Sequence, residues 1–212
     1  MRRSASLLAA LMASVLLTAA GQPAPQRLHP AYSDAERAAL DKVSAYLNAI
    51  HTLQSGFVQI GPEGQLEQGE LYLEKPGKIR FAYNPPSPTL IVATGGNVYV
   101  KNSNLNTVDH YDLSDTPLGL LLNDNVDLKT NRAVIGVSEQ AGSILVRART
   151  STNRNDSNIQ LVFAAPNLEL RQWTVRDNQG GTTTVALQNP QIGAQLADEL
   201  FTVPVRNPAS RK

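Results

Sequence analysis

The chain has 212 residues, of which 42% are apolar and 17% charged, with 14 Gly, 13 Pro and no Cys. That length suits one domain, or two small ones, with a sizeable core, and the balance is that of an ordinary globular chain. A net charge of +1 gives no sign of a polyanion partner such as a nucleic acid, and the missing cysteine excludes disulfides, thiolate zinc sites, thiol catalysis and cysteine-ligated iron–sulfur clusters.

Met1-Arg2-Arg3 opens the chain, Leu7 to Leu17 is apolar apart from Ser14, and Thr18-Ala19-Ala20 supplies small residues. Charged start, apolar middle and small-residue exit predict a secretory signal peptide over 1–20. Eleven residues of helix span roughly 16 Å, about half a bilayer core, which is too short for an anchor. Removal of Arg2 and Arg3 with that segment takes the net charge from +1 to −1. With no cysteine after the apolar run, the chain cannot carry the N-terminal lipid of a bacterial lipoprotein. No later stretch approaches the ~20 apolar residues that span a bilayer. An exported, soluble protein is expected.

A Pro-rich lead-in occupies 21–32. Ser33-Asp34-Ala35-Glu36 then forms a capping box, and Leu40, Val43, Leu47 and Ile50 recur at helical spacing with Tyr46 at their edge. This predicts an amphipathic helix of about 18 residues. From Gln54 onward the pattern is β. Strands are predicted over 54–60, 65–75, 79–84, 89–94, 97–101, 106–112, 132–137, 143–150, 158–164, 168–177 and 181–188, separated by turn signals such as Pro76-Gly77 and Gly95-Gly96. Thr116-Pro117 reads as an N-cap with proline at the first helical position, ahead of Leu118, Leu120, Leu121 and Leu122. Leucines that cover most of a short helix must be plugged into something apolar. Leu196 to Phe201 reads as one last helical turn, and 207–212 as a tail.

The fold class expected is mainly β with α. A large curved antiparallel sheet forms an incomplete, unclosed β-barrel, covered by the N-terminal helix and short apolar lid helices.

Catalytic and metal motifs are missing. His110 and Asp112 share a strand face, but no nucleophile motif accompanies them, and an exposed strand histidine is expected. No cofactor and no metal are expected. Arg147, Arg149 and Arg154 are the nearest approach to a basic cluster and read as a solvated face, with no nucleic acid implied.

The informative pieces lie in one order. They are Phe57-x-Gln59, Gly69-x-Leu71-x-Leu73, Lys75-Pro76-Gly77-Lys78-Ile79-Arg80-Phe81-x-Tyr83, Pro86, Leu90-Ile91-Val92, Gly96, Asn104-Leu105-Asn106-x-Val108, Thr116-Pro117, and Leu196-Ala197-Asp198-Glu199-Leu200-Phe201-x-x-Pro204. In content and spacing they resemble the periplasmic outer-membrane lipoprotein carriers, the LolA family, over about residues 35–206. The chain departs from that pattern in four places. Lys75-Pro76 stands for the usual Arg-Pro, Phe81 for a tryptophan, Thr94 for the aspartate before Gly95-Gly96, and Tyr99 where an aromatic, often Trp, is usual.

The resemblance implies a single carrier domain over 33–206, a non-enzyme, that shuttles lipoproteins between membranes of the envelope. It implies acylated lipoproteins as cargo, an inner-membrane ABC-type transporter, an outer-membrane lipoprotein receptor, a periplasmic location and a monomer. A hydrophobic cavity is expected to involve Leu71, Leu73, Ile79, Phe81, Tyr83, Leu90, Val92 and Tyr99. The lid would be Leu40, Val43, Leu47 and Ile50 of the first helix with Pro117, Leu118, Leu121 and Leu122. Lys75, at the position of the family arginine, is the candidate for cargo transfer. Alternation puts Leu71 with Leu73, and Ile79 with Phe81 and Tyr83, but does not say which faces line a cavity. The competing readings are an envelope lipid-sensing or regulatory domain of the same fold, and a hydrolase with an apolar pocket.

Overall fold

The computed structural model describes residues 32–152, 155–165 and 167–203. The expected signal peptide, the lead-in up to residue 31 and the tail 207–212 lie outside them. The first element, α1, is Asp34–Ala49. Its start is the expected capping box: Glu36 N–H donates to the Ser33 hydroxyl at 3.3 Å, and Ser33 N–H donates to the Glu36 carboxylate at 2.8 Å. Those bonds satisfy donors that the helix leaves free, and the Ser33 N–H and hydroxyl, both donating to the Glu36 carboxylate, hold it below its usual range. Leu40, Val43 and Leu47 are fully buried, so the 3.6-residue stripe faces the core.

Among the described residues eleven strands follow. They are β1 Thr52–Ile60, β2 Leu66–Glu74, β3 Lys78–Tyr83, β4 Thr89–Thr94, β5 Asn97–Asn102, β6 Thr107–Asp112, β7 Val134–Gln140, β8 Ser143–Thr152, β9 Asn155–Ala164, β10 Glu169–Arg176 and β11 Thr182–Ile192. All form one antiparallel sheet in the order β6-β5-β4-β3-β2-β1-β11-β10-β9-β8-β7. Two meanders, β1–β6 and β7–β11, are thus joined where β1 pairs with β11. Strands β6 and β7 are the two free edges, so the sheet curls without closing into a barrel. The two-residue loop Gly95-Gly96 shows how sequence sets this: Thr94 pairs with Asn97, and both glycines have positive φ, at 57° and 81°, as a twisted hairpin requires.

Between β6 and β7 the chain makes a 3-10 turn, Leu113–Asp115, and then α2, Gly119–Leu122. Thr116 does not cap α2 as expected. Its hydroxyl donates back to the Leu113 carbonyl at 2.8 Å and closes the preceding turn, and Leu118 takes the cap position. Pro117 therefore precedes α2 instead of opening it. A second 3-10 turn, Asp198–Phe201, packs on β3 and β4 on the convex side of the sheet. There Arg80 donates to the Leu200 carbonyl at 3.0 Å, and the Lys78 ammonium lies 5.4 Å from the Phe201 ring centre. His110 sits exposed on β6, its ring 6.2 Å from Tyr99.

Candidate functional site: an apolar cleft under two helices

Register assigns every strand residue a face. Leu71 pairs with Ser55 and Phe81, Leu73 with Leu53 and Ile79, and Gly69 with Phe57 and Tyr83. Leu71, Leu73, Ile79, Phe81 and Tyr83 therefore share the concave face. Phe57 anchors it, with Phe81 and Tyr83 at 5.4 and 5.1 Å in edge-to-face contact, and Phe81 reaches Trp173 of β10 at 6.2 Å. Such pairs add about 0.5–1.5 kcal/mol each beyond area burial. Gly69 is required here, because a side chain would run into the Ala82 carbonyl oxygen and come within 2.9 Å of the Phe57 ring.

Leu90, Val92 and Tyr99 are not part of that face. Ile79 pairs with Ala93 and Phe81 with Ile91, which turns Leu90 and Val92 outward against Ala82 and Arg80. Tyr99 pairs with Val92 and points the same way. The cleft instead receives Ile91, Ala93 and Val98. Val92 is nevertheless 1% exposed, because the turn carrying Phe201 lies over β3 and β4 on the outer side. Both residues stand apart from the main core. The other half of the cleft comes from Val137, Val146, Leu161, Trp173 and Val185, which pair across β7 to β11 in one row. The alternations Val146-Arg147-Ala148-Arg149 and Ile159-Gln160-Leu161 carried that signal in the sequence.

The helices fill this cleft. Leu40, Val43 and Leu47 of α1, Ile50 just past its end, and Leu121 and Leu122 of α2 are buried, as is Leu120, while Pro117 and Leu118 are half-buried. Polar ties fix α1. The Asn48 side chain donates to the Val126 carbonyl at 3.0 Å and accepts from its N–H at 2.8 Å. The Ser44 hydroxyl accepts from Leu128 N–H at 3.1 Å, and the Tyr46 hydroxyl from Leu170 N–H at 3.0 Å. Burial pushes the Tyr46 hydroxyl pKa up.

Lys75 occupies the turn between β2 and β3. Its ammonium donates to the Leu47 carbonyl at 2.7 Å, and Gly77 N–H donates to the Leu122 carbonyl at 3.0 Å. One turn of the sheet thus holds the C-terminal ends of both helices. Burial pushes the Lys75 pKa down, and Asp124 beside it opposes the shift. At the far end of the face, the Tyr83 hydroxyl donates to Gln59 at 2.8 Å, and burial followed by nearby Glu67 drives its pKa up.

A cavity of about 540 Å³ remains beside α2, lined by Leu113, Pro117, Leu120, Ala133, Ala148 and Ile159 together with polar Asp112, Asn123 and Asn131. That size falls among ordinary ligand cavities, roughly 300–1,000 Å³. Among the described residues no group of acids and histidines is placed to hold a metal ion, and no helix is long and apolar enough to cross a membrane.

An open antiparallel sheet curled around an apolar cleft and plugged by leucine-bearing helices defines a half-barrel binding protein. The family profile described as "Outer membrane lipoprotein carrier protein LolA" matches residues 48–204, and the chain belongs to that family. It is 26% identical to the outer-membrane lipoprotein carrier protein of Methylococcus capsulatus over 178 residues, covering 80% of this chain and 85% of that one. It is likewise 26% identical to the protein of that name from Cupriavidus necator over 185 residues, covering 80% and 86%. Among solved structures, a LolA superfamily protein from Nitrosomonas europaea aligns over 77% of this chain and 97% of its own, with a TM-score of 0.41 and 9% identity.

Proposed function

We propose that this chain is a periplasmic carrier that takes the acyl chains of lipoproteins into the cleft beneath α1 and α2 and moves them from the inner to the outer membrane. The observation that carries the reading is α2 itself. It is a helix of leucines seated in an apolar cleft, with a cavity already open at its side. A long acyl chain costs on the order of 10 kcal/mol to expose, at ~0.8 kcal/mol per CH₂. A cleft that stayed open would lose the same kind of energy while empty. Leu120, Leu121 and Leu122 fill it instead, and their expulsion on loading offsets part of the binding energy, so the cargo can leave again.

In this reading the concave residues Leu71, Leu73, Ile79, Phe81 and Tyr83 receive the chains, and Ile91, Ala93 and Val98 replace Leu90, Val92 and Tyr99 in that role. The lid is α1 with Pro117, Leu118, Leu121 and Leu122, and Lys75 is its catch. The domain runs over 33–206 behind a cleaved signal peptide. It works as a monomer between an inner-membrane ABC-type transporter and an outer-membrane receptor, and it catalyses no reaction. Mass spectrometry of the protein isolated from its host envelope tests this, with bound triacylated peptide expected. Depletion should strand lipoproteins at the inner membrane. Normal sorting after depletion would remove the carrier reading, and ester turnover would favour a hydrolase.

A further inference from the structure

The outer face of the sheet carries a second surface that the cleft does not explain. One row of paired residues crosses seven strands there: Leu66, Ile60, Thr184, Thr174, Gln160, Arg147 and Gly136. Each of the residues from β1 to β8 neighbours a cleft residue in sequence, so the row lies on the side away from the core. Arg176 and Arg149 stand in the next row, joined through Asn158. The sequence shows Arg147 and Arg149 on one face; the fold adds Arg176 beside them.

Two features of this row are unusual for a solvated sheet face. First, Ile60 is 47% exposed and Leu66 is 61% exposed, and they pair directly with each other. Ile135, beside Gly136 at the other end, is also exposed. Second, Arg147 and Arg176 line a cleft of about 390 Å³ with Gln160, Thr174 and Thr182, and among the described residues no carboxylate pairs with either arginine. The Thr174 and Thr184 hydroxyls bond to each other at 3.0 Å. Glu67, next to Leu66, lies on the concave side, bonded to Gln59 and Ser87, and Glu70 shares the outer face of β2 two alternations from Leu66; Glu63 and Asp177 sit in the turns between β1 and β2 and between β10 and β11. The Asp177 carboxylate is engaged by Gln179 and Gly181 N–H groups of its own turn.

Exposed aliphatics in line with arginine forks match a surface that is both anionic and partly apolar. Guanidinium groups take phosphate oxygens in pairs of hydrogen bonds, and branched aliphatics enter the headgroup boundary. We infer that this outer row is a docking surface for a membrane bearing anionic phospholipid, with Arg147 and Arg176 on the phosphates and Ile60 and Leu66 in the interface. An acidic protein segment would use the arginines but leave the Ile60–Leu66 pair unexplained. The surface is separate from the acyl cleft, and it would hold the protein at a bilayer whatever the cleft contains.

Flotation with phosphatidylcholine vesicles, with and without about 30% phosphatidylglycerol, tests this. The purified protein should float with the anionic vesicles at low salt and be released at high salt, as screening requires. At about fivefold per surface arginine, Arg147→Gln with Arg176→Gln should weaken partitioning roughly thirtyfold. Ile60→Ser with Leu66→Ser should weaken it as well, at unchanged charge. Both variants should still take up a fluorescent acyl probe, which keeps failure of this surface distinct from failure of the cleft. Equal flotation with both vesicle types, or an arginine variant that floats like the parent, would overturn the inference. So would binding of a polyglutamate peptide without vesicle binding, which would assign the surface to an acidic protein.

Discussion

The Lys75 ammonium and the Leu47 carbonyl meet at 2.7 Å, and the same carbonyl accepts Ile50 N–H at 3.2 Å. A cation placed at a helix C-terminus is favoured by the helix dipole, while its burial opposes charge. Lys75→Met keeps the stem and removes both effects, so its net cost should be modest, about 1–2 kcal/mol. Hydrogen exchange at the Ile50 amide should accelerate, and Lys75→Arg should restore protection. The folded pKa lies below the ordinary lysine value. Between the two the unfolded chain therefore binds more protons, and this residue makes stability rise with pH across that alkaline interval. Thermal unfolding of the methionine variant should lack that contribution.

Leu121 is 2% exposed within the cleft. Leu121→Ala should cost about 2–5 kcal/mol of stability. In the proposed carrier reading, the same change makes a smaller plug for an acyl chain to displace. A fluorescent acyl probe should therefore bind the variant more tightly than the parent although the variant melts lower. Weaker binding would count against displacement of the lid by cargo.

Phe201 and Val92 form a patch on the outer side of β3 and β4, apart from the main core. Phe201→Ala should lower stability by about 3 kcal/mol and leave acyl-probe affinity unchanged. Ile91→Ser, one residue from Val92 but on the concave face, should reduce that affinity severalfold. Identical effects of the two substitutions would mean that the faces have been exchanged.

The contrast between Ile91 and Val92 marks where the sequence stops being legible. All eleven strands and the capped first helix could be read from turn residues and periodicity, because those signals are local. In Leu90-Ile91-Val92-Ala93 both faces are apolar, so alternation has no phase, and only pairing with Ile79 and Phe81 sets it. Val92 is apolar for the sake of a turn more than a hundred residues later. Thr116 misleads for a related reason: Ser, Thr and Asp close turns as readily as they cap helices, and here the preceding turn takes the hydroxyl. The hold of Asn48 on Val126 and of Lys75 on Leu47 links positions with no shared local pattern.

Gly69 faces Phe57 across β1 and β2. Gly69→Ala should cost about 2 kcal/mol through backbone and ring displacement, which for a domain of this size lowers the melting temperature by about 6 °C. Since no polar group is lost, the defect should not depend on pH. Calorimetry at pH 6 and pH 8 checks both points.

Tyr83 supplies the opposite alkaline signature to Lys75. Burial and Glu67 raise its folded pKa above the ordinary tyrosine value, about 10. The unfolded chain loses that proton first, so the stabilisation is complete below this value and fades as pH rises toward the folded one. Tyr83→Phe should lose about 1 kcal/mol at neutral pH with its bond to Gln59. It should also flatten the fall in melting temperature between pH 9 and pH 11. Tyr32 and Tyr46, whose pKa values are also raised, leave part of that fall in place.

The two unpaired edges, β6 and β7, free the sheet from a constraint that governs closed barrels. In a closed barrel, strand number and stagger together fix the diameter, and widening the bore breaks a ladder of hydrogen bonds. Here the circumference ends at two free margins. Moving β6 away from β7 changes the bore while every existing strand pair stays intact. A cleft bounded by such a sheet can change its girth by elastic bending alone, with no strand pair broken.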